Sequence, residues 1–316
     1  VADSLHQVGN LTYMEGDYAE ARRLYEESLQ IKRALGDRVG VADSLHQVGN
    51  LTYMEGDYAE ARRLYEESLQ IKRALGDRVG VADSLHQVGN LTYMEGDYTE
   101  ARRLYEESLQ IKRRLGDQIG VAQTLHQLGV VAQVQGDYRK ARRVLEESLE
   151  IARALGDRVH VALTQSCLGN LAQNKGCYGE ARRHWEEAVG ILQELGDRRN
   201  EAGVLHQMGT LAQVQGDYAE ARRLYEESLE IQRTLGNWAG VAATTSQLGI
   251  LANLEGNVEE SRRSHEESLS IRREIGDKRG IAVDLHQLGM LAQAEGEYTG
   301  ARRLYGESLE IRGALG

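Results

Sequence analysis

Six histidines stand at a fixed interval, His6, His46, His86, His126, His206 and His286, and the series lapses only at Ser166 and Ser246. Imidazole binds transition metals and moves protons near neutral pH, so a metal site and acid–base catalysis are the first chemistries to weigh. A metal site needs donors that converge at about 2 Å, whereas elements stacked in layers lie about 8–10 Å apart and present their side chains in parallel. A column of this kind does not close on one ion. No acid, nucleophile and base stand together at a spacing that makes a triad, and no GxxxxGK[ST] or GxGxxG phosphate loop occurs. The expectation is a chain without enzymatic activity, metal or cofactor.

A second recurring set is the pair Arg22–Arg23, present in every copy of the pattern described below. Paired arginines can form a basic stripe for RNA. Here Glu26 and Glu27 follow one helical turn later, so the alternative is a solvated face of local ion pairs, each contributing a few tenths of a kcal/mol. The net charge of -11 favours the second reading and argues against nucleic acid and anionic lipid as partners.

These residues recur because the chain does. Val1–Gly40 is repeated unchanged by Val41–Gly80, and Val81–Gly120 repeats it with Thr99, Arg114, Gln118 and Ile119 as the differences. Looser copies start at Val121, Val161, Glu201, Val241 and Ile281, which gives eight units and a single array over 1–316. In the first copy Ala2, Leu5, Val8, Gly9 and Thr12 follow helical spacing and predict a helix A that Gly16 ends. Asp17, with Glu20 three residues on, predicts a capping box for helix B. The buried stripe of helix B is read as Ala21, Leu24, Tyr25, Ser28, Leu29, Ile31 and Leu35. Gly36 then closes it, and Asp37 caps the next helix A. The fold class is all-α, two antiparallel helices per unit, each unit completed only by its neighbours.

The absence of Pro and Phe and the regular placement of 35 Gly fit helices joined by tight turns. No apolar run is long enough for a membrane span. Cys167 and Cys177 lie ten residues apart across one helix and its turn, too far to bridge easily, which points to a reducing, cytoplasmic setting. The chain opens on Val1 without the GDR that precedes other copies, as a fragment of a longer array would.

On Leu5, Val8, Gly9, Tyr13, Gly16, Asp17, Tyr18, Ala21, Tyr25, Ser28 and Leu29 and their equivalents, the chain resembles the tetratricopeptide repeat family over essentially its whole length. It departs from that pattern in lacking the proline after helix B and in having a period of forty residues. In this it is similar to the repeats of kinesin light chain, of Pins-like adaptors and of the sensor arrays of bacterial signalling ATPases. The resemblance implies a right-handed α-solenoid whose concave groove, lined by helix A, holds a partner protein or peptide. It places the groove on the columns of Asp3, His6, Asn10, Tyr13 and Met14. The expected contact residues are His6, His46, His86 and His126, Asn10, Asn50, Asn90 and Asn170, and Tyr13, Tyr53 and Tyr93. Asparagine both donates and accepts, so a column of them can hold a peptide backbone.

Arg38 and Arg78 open successive A helices, where they pair either with a partner's carboxylates or with local ones. Later copies turn apolar with Val134, Val214, Leu254 and Met290, which suits an amphipathic partner, and substitution of Asn170 or Leu254 is expected to matter more than substitution of Asn10. Repeat five is irregular, with Trp185 in the Tyr25 column, read either as a local bend or hot spot or as a larger aromatic repacking the core. Trp238, in the Arg38 column, is either a contact anchor or a cover for the layer beneath. The function expected is an interaction scaffold. The alternatives are a ligand-sensing array of a larger signalling NTPase or transcription regulator, and a recently amplified or designed structural repeat. Ends without polar capping helices predict end-to-end self-association.

Overall fold

The structure is a computed structural model and describes residues 1–315. Among these there are sixteen helices and no strand. The first helices of the hairpins are α1 (Ala2–Met14), α3 (Arg38–Met54), α5 (Arg78–Met94), α7 (Gln118–Val134), α9 (Arg158–Asn174), α11 (Arg198–Val214), α13 (Trp238–Leu254) and α15 (Lys278–Ala294). The second helices are α2 (Tyr18–Leu35), α4 (Tyr58–Leu75), α6 (Tyr98–Leu115), α8 (Tyr138–Leu155), α10 (Tyr178–Leu195), α12 (Tyr218–Thr234), α14 (Val258–Ile275) and α16 (Tyr298–Leu315). The chain divides into two compact units, Val1–His160 and the remainder from Val161. Within each unit consecutive helices pack as hairpins, and each hairpin packs on the next.

The ends of the helices are written in the sequence. At the start of α2, Asp17 accepts the Glu20 backbone N–H at 3.1 Å, satisfying a donor that the helix itself leaves free. The box is only half closed, because the Glu20 carboxylate turns to Arg23 at 2.6 Å. At the other end Gly36 takes φ 72°, and the Asp37 N–H reaches back to the Lys32 carbonyl at 3.0 Å. That left-handed residue is strained for any side chain, so glycine fixes the stop. Asp37 then caps α3 through the Gly40 N–H at 3.0 Å.

The core alternates with the hairpins. In the second layer Tyr25 and Leu29 of α2 pack with Leu45, Val48 and Leu51 of α3 and with Leu64 of α4. The hairpin itself is drawn tight by Ser28, whose hydroxyl donates to the Ala2 carbonyl at 2.8 Å, a bond repeated by Ser68 to Ala42 and Ser108 to Ala82. The expected stripe of helix B needs one correction. Leu35 is 74% exposed, and Lys32 at 4% lies inside instead. The helix has rotated past Leu35 by its last turn, and the lysine stem covers apolar surface while its ammonium reaches Asp3 at 3.4 Å.

Close approach explains the invariant glycine of each first helix. A Cβ on Gly49 would stand 2.8 Å from the Tyr65 ring, and one on Gly89 would stand 2.7 Å from Tyr105. Because the tyrosine is fully enclosed it cannot step aside, so Gly49→Ala is expected to lower stability by about 1–3 kcal/mol. A urea melt checks this, and an unchanged midpoint would show that the ring has room to move.

The paired arginines are more than local pairs. Arg22 meets Glu26 at 3.2 Å, as its spacing suggests, but it also grips Glu55 of the next repeat at 2.6 Å and donates to Thr52 at 2.9 Å. Arg62 does the same with Glu95, and Arg33 and Arg73 reach Glu67 and Glu107 in the following second helices. These guanidinium groups are occupied by carboxylates and clamp neighbouring repeats together.

Candidate functional site

The surface offered by each first helix follows from its register. In α3, Val41, Ala42, Ser44, Leu45, Val48 and Leu51 are buried, so positions 43, 47, 50 and 54 come outward at helical spacing. Asp43 and Met54 are exposed, while Gln47, Asn50 and Tyr53 are half-buried. Gln47 and its equivalents Gln7 and Gln87 belong to this face and were not among the residues expected from sequence. Their signal was spacing alone, four residues after Asp43 and three before Asn50.

A relay ties the face to the core. The Tyr25 hydroxyl donates to the Asn10 side-chain oxygen at 2.8 Å, and the Asn10 amide donates to Gln7 at 3.3 Å. The second and third repeats reproduce it, with Tyr65 on Asn50 at 2.7 Å and Asn50 on Gln47 at 3.1 Å, then Tyr105 on Asn90 at 2.7 Å and Asn90 on Gln87 at 2.9 Å. The asparagines therefore spend acceptor capacity inward, and the outermost amide of the relay is the glutamine's. Tyr13, Tyr53 and Tyr93 tilt against Tyr18, Tyr58 and Tyr98 at ring separations of 5.4–5.5 Å, which seats them at the hairpin turn.

The histidines are placed inward. His6, His46 and His86 rings lie 5.3–5.4 Å from the rings of Tyr25, Tyr65 and Tyr105. His126 stands edge-on to His160 at 5.2 Å. His86 Nδ1 is 3.2 Å from the Thr124 hydroxyl, whose own hydrogen goes to the Gly120 carbonyl at 2.7 Å, so the histidine is the donor and Nδ1 carries its proton. Burial, with the Lys72 and Lys112 ammonium groups nearby, lowers His46 and His86 to about 3, and burial beside His160 lowers His126 to about 4. Each is a neutral aromatic in the interlayer core. Among the described residues no three His, Cys, Asp or Glu side chains gather as a metal site.

Arg38 and Arg78 are exposed and make no ion pair among the described residues. Leu254 and Met290 are 50% and 45% exposed, on the same open face in the later repeats. In repeat five Trp185 is fully enclosed and donates to the Ser166 carbonyl at 3.2 Å, so the larger aromatic fills the core. With no tyrosine hydroxyl there, the Asn170 side-chain oxygen is enclosed without a hydrogen-bond partner.

The sequence matches the family described as Tetratricopeptide repeat over residues 1–74, 80–154, 160–234 and 240–314. The chain belongs to the tetratricopeptide repeat family. No curated protein sequence matches it. Among solved structures it is similar to a signal transduction ATPase with numerous domains that carries a tetratricopeptide repeat sensor, from Pyrococcus horikoshii. That likeness has 14% identity and a TM-score of 0.74, covering 100% of this chain and 48% of that one. A second similar structure is the Rap conjugation gene regulator of the plasmid pLS20 in complex with the Phr* peptide, at 14% identity, TM-score 0.67, 88% of this chain and 75% of that one. A third is a putative kinesin light chain of Podosopora anserina with nearly identical repeats, at 19% identity, TM-score 0.50, 62% of this chain and 96% of that one. At these identities the likeness is one of fold. No described helix is long and apolar enough to cross a membrane.

Proposed function

We propose that this tetratricopeptide array is a protein-interaction scaffold that holds a peptide or helix of a partner along the open face of its first helices, in the cytoplasm and without chemistry of its own. The observation that supports it is the tyrosine–asparagine–glutamine relay of the first three hairpins, a row of amides fixed in place from the core. A pre-positioned amide meets a peptide backbone without first losing rotamer freedom, so binding is not weakened by ordering it. Exposed Met54, Met94 and Val134 at the ends of first helices in the same unit provide apolar contacts. Arg38 and Arg78, exposed at the start of the same helices and without an ion pair among the described residues, suit carboxylates of the partner. The Rap regulator, with its bound peptide, is the precedent in this fold.

The test is affinity capture with the chain, identification of what co-purifies, and titration of that partner. Gln47→Arg with Gln87→Arg is expected to weaken binding at least tenfold while the melting temperature shifts by no more than about 2 °C, because neither residue is in the core. His46→Leu is expected to leave affinity unchanged. Binding that ignores the glutamine pair overturns the reading. A second reading, a sensor array within a larger signalling protein, is favoured by one observation: the P. horikoshii ATPase covers this whole chain and is about twice as long.

A further inference from the structure

One turn differs from all the others in several coordinated ways. Between α12 and α13 the capping aspartate of the other turns between hairpins becomes Asn237, the basic or polar residue after it becomes Trp238, and the position of Val39 becomes Ala239. The helix before it, α12, ends at Thr234, one residue earlier than the equivalent helices. The capping bond survives, with Asn237 accepting the Gly240 N–H at 3.2 Å, so the fold does not need the change. What the changes do is alter the surface. A carboxylate leaves the rim, and an indole arrives that is 53% exposed.

Two hollows flank Leu235 at this turn. The larger, about 370 Å³, lies among Arg199, Trp238 and Ile275, residues of three successive turns. The smaller, about 140 Å³, lies among Arg198, Glu230, Ile231 and Thr234. Leu235 borders both and is itself 42% exposed, as is Ile275. Each hollow has one arginine in its lining, Arg198 in the smaller and Arg199 in the larger. Arg199, Lys278 and Arg279 are exposed and without an ion pair among the described residues, and Arg198 is held upright by the buried Glu201 at 2.6 Å. Glu230 is the one carboxylate lining either hollow.

We propose that this turn edge is a second docking surface, separate from the open face of the first helices, for a partner-protein segment that presents apolar side chains beside carboxylates. Aromatic and arginine side chains next to a partly enclosed apolar hollow are the composition from which binding hot spots are built. The apolar side chains enter the two hollows on either side of Leu235, and the carboxylates meet Arg199, Lys278 and Arg279. Two discrete hollows of about 140 and 370 Å³ take individual side chains, which favours a protein segment over a membrane surface.

The test uses the full chain and a displayed library of random twelve-residue peptides. Selected peptides are expected to carry Asp or Glu next to Leu, Ile, Phe or Trp, to bind Trp238→Ala at least tenfold more weakly, and to be indifferent to the Gln47→Arg, Gln87→Arg pair. Arg199→Glu is expected to weaken them about tenfold, and peptides with Lys in place of their acids are expected to regain binding to that variant. Trp185 is enclosed and Trp238 is not, so the emission lost in Trp238→Phe reports this site alone, and it is expected to shift to the blue on peptide binding. Peptides that bind without Trp238, or that carry no acidic residues, overturn the proposal. So does Trp238-dependent sedimentation with phosphatidylserine vesicles in place of peptide binding, or Trp238-dependent self-association, either of which gives the surface to another occupant.

Discussion

On acidification from pH 6.5 to pH 4.5 the unit Val1–His160 is expected to lose most of its stability through its histidines, its carboxylates adding to the loss only toward the lower end of that range. It holds three half-buried histidines with their rings against the core, His46 and His86 lowered to about 3 and His126 to about 4, against about 6.5 in an unfolded chain. Between those limits the unfolded chain binds protons that the folded one refuses, so stability is complete above pH 6.5 and falls as the pH drops. Each unit of pH in that window is about 1.4 kcal/mol per group, so at pH 4.5 each histidine removes about 2–3 kcal/mol. A domain with about 5–15 kcal/mol in hand does not survive three such losses easily. Urea midpoints measured at intervals of half a pH unit give the curve. The variant His46→Leu, His86→Leu, His126→Leu keeps an apolar group at each position, and its midpoint is expected to fall much less than the parent's over the same range, with only the carboxylates contributing near pH 4.5. If the variant falls in parallel with the parent, the histidines are not the cause.

Removing Asp284 is expected to cost about 3–5 kcal/mol. Its carboxylate is fully enclosed. It accepts from the Ser246 hydroxyl at 2.7 Å and the Ser268 hydroxyl at 2.6 Å, and faces His265 Nδ1 at 3.1 Å and Arg272 at 3.3 Å. Asp284→Ala strands the Arg272 guanidinium, which keeps the Gly280 carbonyl at 2.6 Å but loses its only enclosed counter-charge. The network is an exchange of parts. Ser246, His265, Arg272 and Asp284 occupy the places that His6, Tyr25, Lys32 and Ser44 hold at the first junction, where His6 Nδ1 stands 3.3 Å from Ser44. Restoring all four together, Ser246→His, His265→Tyr, Arg272→Lys and Asp284→Ser, is therefore expected to recover most of what Asp284→Ala loses. Urea unfolding of the three proteins decides it. A loss under about 1 kcal/mol for the alanine variant would mean that the enclosed charges are balanced some other way.

The site was less legible than the helices. Asn10, Asn50 and Asn90 are half-buried on their helices, and the spacing does not reveal that a tyrosine fifteen residues away claims their oxygens. His46 and His86 follow the same helical register by sequence and yet turn into the core, because a layer from the next repeat covers them. That layer is also what Arg22 reaches when it passes Glu26 and takes Glu55.

By itself the sequence determined the helices, their caps and their number, because those depend on contacts within four residues: Asp17 on Glu20, Gly36 at its left-handed turn, the 3.6-residue recurrence of Leu24 and Ser28. It also determined the family, since the period is a property of the string. Only the tertiary structure decided which polar side chains face outward and which are shut in, that Lys32 lies inside while Leu35 does not, and that the turn at Trp238 opens onto two hollows. Those outcomes depend on which side chain of a neighbouring repeat arrives at a given face, and a helix's own periodicity carries no record of its neighbour.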